Sequence, residues 1–263
     1  MSKAKKTLLI IIMLLLAIIL IFSAISLISK IIEYNEANSL YEDIQGKYVA
    51  TISPETTEPN TVSSDNTSDE SKSNHLSPPI AVDFSKLIAE NSDVVGWIYS
   101  ENTPINYPVV QADNNRKYLH SDLSGNYLIN GTIFVDCRNR EIGKDLNYII
   151  YGHSMNNQSM FGSLLNYKEQ SYYNSHPFIY YLTEGTNYRI DLIAGHVVST
   201  DEIIYQTSPD KEAFESYIDK ACMRSTFKSN IEYESGDNIV TLSTCSYEYD
   251  DARYVVIGKL VAI

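Results

Sequence analysis

From Leu8 to Phe22 the chain is uninterrupted apolar sequence, and only Ser23 and Ser26 break the run before Ile28. Few structures can hold such a stretch. A helix of about 21 residues rises roughly 31 Å at 1.5 Å per residue, enough to cross a hydrocarbon core of about 30 Å. Lys3, Lys5 and Lys6 precede the run and Lys30 alone follows closely, so the positive-inside bias places the short tail in the cytoplasm and everything after Lys30 outside. That is the orientation of a signal anchor in the plasma membrane. A cleaved signal peptide is the competing reading, but its apolar core usually spans about 7–15 residues before a small-residue cleavage site, and the run here is longer.

Charge is consistent with an external domain. All 33 acidic residues lie after position 30 together with 16 of the 20 Lys and Arg, so the exported part carries 16 minus 33, or −17. Nucleic acid is excluded as a partner, because phosphate binding needs a basic stripe. Three cysteines remain outside, Cys137, Cys222 and Cys245. A domain of this size needs no crosslink for stability, so all three are expected as free thiols, with Cys137 and Cys222 the alternative pair. No Cys-x-x-Cys or His-Glu-x-x-His spacing occurs, so no metal site is expected.

After the span, residues 31–44 can continue as helix, and residues 46–79 turn rich in Ser, Thr, Asn, Pro and acidic side chains. Too few apolar groups are present there to offset the entropy of ordering the chain, which predicts a flexible stalk. From Asp83 onward the pattern is globular. Asp83 fits an N-cap for a helix carrying Phe84, Leu87 and Ile88 and stopping near Asn91. Beyond it come short β-rich apolar runs at 95–99, 107–111, 132–136, 148–151, 178–182, 188–198, 239–242 and 254–261. Eight strands in so short a span predict a mainly β fold, one closed barrel or sandwich rather than a doubly wound sheet.

One insertion breaks the strand rhythm. Ser208-Pro209-Asp210 introduces residues 211–223, where Ala213, Phe214, Tyr217, Ile218 and Ala221 follow a helical period. The histidines at 75, 120, 176 and 196 belong to no motif and read as structural or solvated groups. The 21 tyrosines suit half-buried strands and need no cofactor.

Chemistry concentrates at the ends of two apolar runs. Residues 239–242 lead through Ser243 and Thr244 to Cys245, with Arg253 eight residues later, and the run at 148–151 ends in Gly152-His153. Singly, each residue has an ordinary reading: a small buried hydrophobe, a turn histidine, a solvated charge. Together they form a candidate thiol–imidazole couple. A cysteine is a weak nucleophile until a neighbouring base or positive charge favours its thiolate. An imidazole can act as general acid and then as general base near neutrality. A guanidinium adds a permanent charge for the oxygen of a tetrahedral intermediate.

The segment Thr241-Leu242-Ser243-Thr244-Cys245 with Arg253 resembles the Leu-x-Thr-Cys plus arginine signature of sortases, and Tyr151-Gly152-His153-Ser154-Met155, followed by Ser159-Met160-Phe161-Gly162, resembles the histidine region of class B sortases. The run from Ile105 through Asn106-Tyr107-Pro108-Val109-Val110 to Gln111, then Tyr118-Leu119, then Gly131-Thr132-Ile133-Phe134-Val135-Asp136, also matches that class. The likeness covers about residues 83 to 263, with its motifs in the right order.

The resemblance implies an eight-stranded sortase β-barrel and a cysteine transpeptidase on a Gram-positive cell surface. Cys245 would be the nucleophile, His153 the general acid/base and Arg253 the stabiliser of substrate and oxyanion. Such enzymes cleave a sorting signal after threonine and pass the acyl group to an amine of a peptidoglycan precursor. The helix at 211–223 would wall the substrate groove before the catalytic-cysteine strand, and positional likeness adds Thr200, Tyr205 and Ser243 as groove residues. No cofactor is implied. The chain stops at Ile263, just past its last strand, which disfavours the pilus-polymerising class, whose members usually carry a second hydrophobic segment.

The expected organisation is therefore a cytoplasmic tail and transmembrane anchor over 1–30, a juxtamembrane helix and stalk over 31–79, and an extracellular catalytic domain over 80–263. Two rivals remain open: a cysteine hydrolase releasing substrate to water, and a membrane-tethered binding module without chemistry. The signal sequence read, the acceptor amine, and whether Asp250 or Asp251 orients His153 are not legible at this level.

Overall fold

The computed structural model describes residues 3–52 and 77–263. Two compact units divide the chain, Met1–Glu42 and Asp43–Ile263. The first is helix throughout its described length, part of α1 (Lys3–Tyr48). Its side chains from Ile10 to Ile32 are exposed around the whole circumference, Phe22 by 74%. A helix apolar on every face is suited to lipid rather than water, and α1 is long and apolar enough to cross a membrane.

In the second unit α1 ends by feeding β1 (Val49–Thr51), which pairs antiparallel with β2 (Ile80–Val82). Tyr48 and Lys47 both bond the Glu90 carboxylate, and Gln45 Nε2 donates to Asn106 O at 2.8 Å. Residues 53–76, where most of the expected stalk falls, lie outside the described residues. Helix α2 (Phe84–Glu90) starts where the Asp83 carboxylate accepts from Lys86 N at 3.1 Å, and it ends at Asn91.

The remaining strands are β3 (Val94–Tyr99), β4 (Asn106–Val110), β5 (Ile133–Val135), β6 (Asn147–Tyr151), β7 (Phe178–Leu182), β8 (Tyr188–Val198), β9 (Ile239–Cys245) and β10 (Arg253–Ala262). Between β6 and β7 lie a 3-10 helix (Gly162–Lys168) and α3 (Gln170–Ser175). The eight strands close a barrel in the order β10-β8-β7-β3-β4-β5-β6-β9, and each expected β run falls on one of them. Two pairs are parallel, β4 with β5 and β6 with β9; the others are antiparallel. Parallel neighbours need long connections, and the connections that follow β4 and β8 build the functional end of the barrel.

Helix α4 (Lys211–Arg224) begins at Asp210, whose carboxylate accepts from Ala213 N at 2.9 Å. Phe214, Tyr217, Ile218 and Ala221 form its buried stripe and pack with Ile193, Ala194, Val198, Val255 and Ile257 of β8 and β10. Phe214 and Ile218 are fully buried, each removing apolar surface from water to an extent of about 2 kcal/mol. The helix thereby fixes the segment before it, which reaches the site.

Candidate active site

Strand register brings the chemical groups together. Cys245, last in β9, pairs with Arg253, first in β10. On its other side β9 runs parallel to β6 with Ser243 opposite Tyr151. The contact continues past the strand end, where Gly152 N donates to Ser243 O at 3.1 Å and Thr244 Oγ1 donates to Gly152 O at 2.8 Å. His153 follows one residue later. Three adjacent strand ends thus present a thiol, an imidazole and a guanidinium to one cavity of about 510 Å³.

All six residues singled out in the sequence line that cavity: Cys245, His153, Arg253, Ser243, Thr200 and Tyr205. Cys245, His153 and Arg253 are each half-buried. Ser243 is buried, and its hydroxyl lies 2.8 Å from the Tyr205 hydroxyl. Burial pushes the Tyr205 phenol up to about 12, against the pull of its Ser243 hydrogen bond and the Arg253 charge, so it stays a neutral hydroxyl. Its ring stacks on Tyr151 at 6.3 Å and 11°.

His153 Nε2 lies 2.7 Å from Leu119 O. A carbonyl only accepts, so Nε2 carries the proton of the neutral ring and Nδ1 is the nitrogen left to gain or lose one. Burial depresses the His153 pKa; the Leu119 hydrogen bond opposes this, and neighbouring His120 adds to it. Near neutrality the imidazole is accordingly uncharged. Asp250 and Asp251 do not belong to the cavity lining; Leu119 O and the His120 ring are what His153 meets.

Several lining residues had no catalytic or binding role assigned from the sequence. Asn115 and Leu119 come from the long connection between β4 and β5, Arg138 from the turn after β5, and Asp201 and Glu202 from the loop after β8. Arg138 forks onto Asp136, Nε to Oδ1 at 2.8 Å and Nη2 to Oδ2 at 2.7 Å, and Nη2 also donates to Tyr205 O at 2.9 Å. Asp136 is fully buried and also accepts from Tyr151 OH at 2.9 Å. Burial works against its ionisation, but these donors, Arg138 first, outweigh burial and hold its carboxyl below the ordinary range. Asn147 Nδ2 donates to Ile204 O at 2.7 Å and Gln206 O at 3.1 Å. Buried side chains of β6 and the β5 turn therefore hold the wall that carries Tyr205.

Cys137, Cys222 and Cys245 are each free. Among the described residues no group of three His, Cys, Asp or Glu is arranged to hold a metal ion.

A closed eight-stranded barrel with a cysteine, a histidine and an arginine converging at one rim defines a cysteine acyl-transfer enzyme of the sortase type. A family model described as the sortase domain matches residues 98–261. The chain is 38% identical over 182 residues to Sortase B of Listeria monocytogenes, covering 68% of this chain and 73% of that protein. Among solved structures, the Staphylococcus aureus sortase B–substrate complex is similar at a TM-score of 0.65 and 31% identity, over 68% of this chain and 85% of that one. Sortase B from B. anthracis in complex with AAEK1 is similar at a TM-score of 0.70 and 30% identity, over 89% of this chain and 100% of that one. The chain belongs to the sortase family, in its class B, and is a sortase-type transpeptidase.

Proposed function

We propose that the protein is anchored in the plasma membrane by α1 with the barrel outside a Gram-positive cell, where it joins surface proteins to the wall. Its substrates are proteins bearing a C-terminal sorting signal, cleaved after threonine, and its acceptor is an amine of a peptidoglycan precursor. Nucleic acid has no part in this. The observation that carries the reading is the single cavity lined by Cys245, His153 and Arg253.

In this reading the Cys245 thiol gives its proton to His153 Nδ1 as Sγ attacks the threonine carbonyl carbon, and the oxygen that becomes negative is stabilised by Arg253. His153 hands a proton from Nδ1 to the departing amine as the C–N bond breaks, leaving a thioester on Cys245. The incoming amine then loses a proton to Nδ1, attacks the thioester and expels the sulfur. Ser243, Thr200 and Tyr205 line the groove that orients the signal. Burial favours the neutral His153 ring, so the thiol proton moves to Nδ1 only as the reaction begins.

The test uses full-length protein in detergent micelles with a panel of quenched sorting-signal peptides, with and without amine acceptors. The reading predicts cleavage after threonine, faster turnover and a joined product when an amine is present, and no reaction by Cys245→Ala. Cleavage indifferent to amines would make the protein a hydrolase. Retention of function by Cys245→Ala would leave the binding module.

A further inference from the structure

Consecutive residues of the connection between β4 and β5 hold His153 on two sides. Leu119 O takes the Nε2 proton at 2.7 Å, and the ring of His120 stacks on the His153 ring at 5.2 Å between centroids and 25° between planes. Tyr127 extends the column beyond His120 at 6.2 Å and 30°. The loop carrying these rings is itself tied down: Leu128 N donates to His120 O at 3.0 Å, Thr132 N to Tyr118 O at 3.0 Å, and Ser121 bridges to Tyr127. An exposed imidazole is thus fixed on the face of the one aimed into the cavity.

We propose that His120 is a positioning and tuning residue for His153: its stacked ring holds the His153 plane, and its charge, when it takes a proton, biases His153 toward the neutral form. Two imidazolium charges on rings stacked at this distance repel. Other titratable and charged groups line the same cavity: Cys245 on β9, Arg253 on β10, Tyr151 on β6, and Asp201, Glu202 and Tyr205 after β8. Arg138 is there too, but its charge is matched by the fork onto Asp136. His120 differs from all of these in lying on the ring face. The depressed pKa of His153, to which His120 contributes after burial, is consistent with the geometry.

The inference rests on the acid–base role proposed for His153, but its primary readout does not. Full-length protein carrying Cys245→Ala and isotope-labelled histidine is titrated by NMR in micelles, with His120 intact, His120→Phe or His120→Asn. Phenylalanine keeps a flat ring without charge, and asparagine removes the ring. Both variants are expected to raise the His153 midpoint by about 0.5 pH unit, the repulsion of two charges about 5 Å apart in water-like surroundings. The Nε2–H tautomer signature should persist in His120→Phe and weaken in His120→Asn. In the thiol enzyme, kcat at its optimum should be kept by His120→Phe and fall several-fold in His120→Asn, while the limb of the pH profile set by His153 moves upward in both. A His153 midpoint unmoved in both variants overturns the proposal, whatever their activity. A midpoint that moves while His153→Ala stays fully active upholds the coupling and removes the acid–base role instead.

Discussion

Gly131→Ala should damage the site from a distance. Gly131 has φ +55°, and a Cβ built on it would lie 2.4 Å from Leu119 O and 2.5 Å from Tyr118 O. Real Cβ atoms essentially never approach below 3.0 Å, so the Leu119 carbonyl must retreat by 3.0 − 2.4, or 0.6 Å. That carbonyl is the acceptor of His153 Nε2 at 2.7 Å, so the bond stretches to the margin of hydrogen-bonding distance. The left-handed backbone adds about 1 kcal/mol of strain and the clash about 1–3 kcal/mol. A total of about 2–4 kcal/mol corresponds to a fall in Tm of roughly 5–15 °C for a domain of this size. Weakening one hydrogen bond worth about 0.5–1.5 kcal/mol should lower kcat about 2- to 10-fold. Thermal circular dichroism and peptide-cleavage kinetics on the same preparation measure both. A variant with unchanged Tm and unchanged kcat would refute the argument that this glycine sets the Leu119 carbonyl and, through it, the His153 tautomer.

Tyr205→Phe removes the partner of the buried Ser243 hydroxyl and should lower kcat/KM about fivefold, equivalent to roughly 1 kcal/mol; Ser243→Ala added to it should cost little more, as a double-mutant cycle would measure. Arg138→Met removes the fork from the fully buried Asp136, which keeps Arg138 N, Tyr151 OH and Asn115 Nδ2 as donors, and should destabilise by about 1–3 kcal/mol, read as a shift in the urea midpoint. His196 is buried, with Nε2 2.9 Å from Tyr217 OH; burial, helped by the Arg224 charge, lowers its pKa to about 4. The folded state resists a proton that the unfolded chain accepts, so its contribution is complete above about pH 6.5 and is lost as pH falls toward 4. Between pH 7 and 4.5 the wild type should lose about 2–3 kcal/mol more than His196→Gln, as paired denaturant titrations would show.

The barrel was legible because strands such as Phe178–Leu182 and Tyr188–Val198 are rich in aromatic and aliphatic residues, and these two coincide with their expected bounds. Asp83 and Asp210 marked their helices because a short carboxylate accepting a backbone N–H is a local device, readable without a fold. Pairing of β1 with β2 was not legible, since three-residue strands hold too few side chains to show a period. At the site, Cys245, His153 and Arg253 stand at the ends of strong β runs and were visible for that reason. His120 and Arg138 were not. His120 reaches His153 through a loop set by Gly131 and by Thr132 N on Tyr118 O, and Arg138 enters the cavity through a carboxylate buried behind it. Such placements depend on contacts distant in sequence, which no window of residues displays.

The central claim is that one sulfur, one imidazole and one guanidinium carry out acyl transfer at a single rim. Mass spectrometry of full-length protein after brief incubation with a sorting-signal peptide tests it most directly. The account predicts a thioester on Cys245, absent in Cys245→Ala, slow to form in His153→Ala and Arg253→Ala, and discharged to a joined product on adding an amine. A peptide cleaved with no adduct on Cys245, or an adduct that forms equally well without His153 and Arg253, would contradict it.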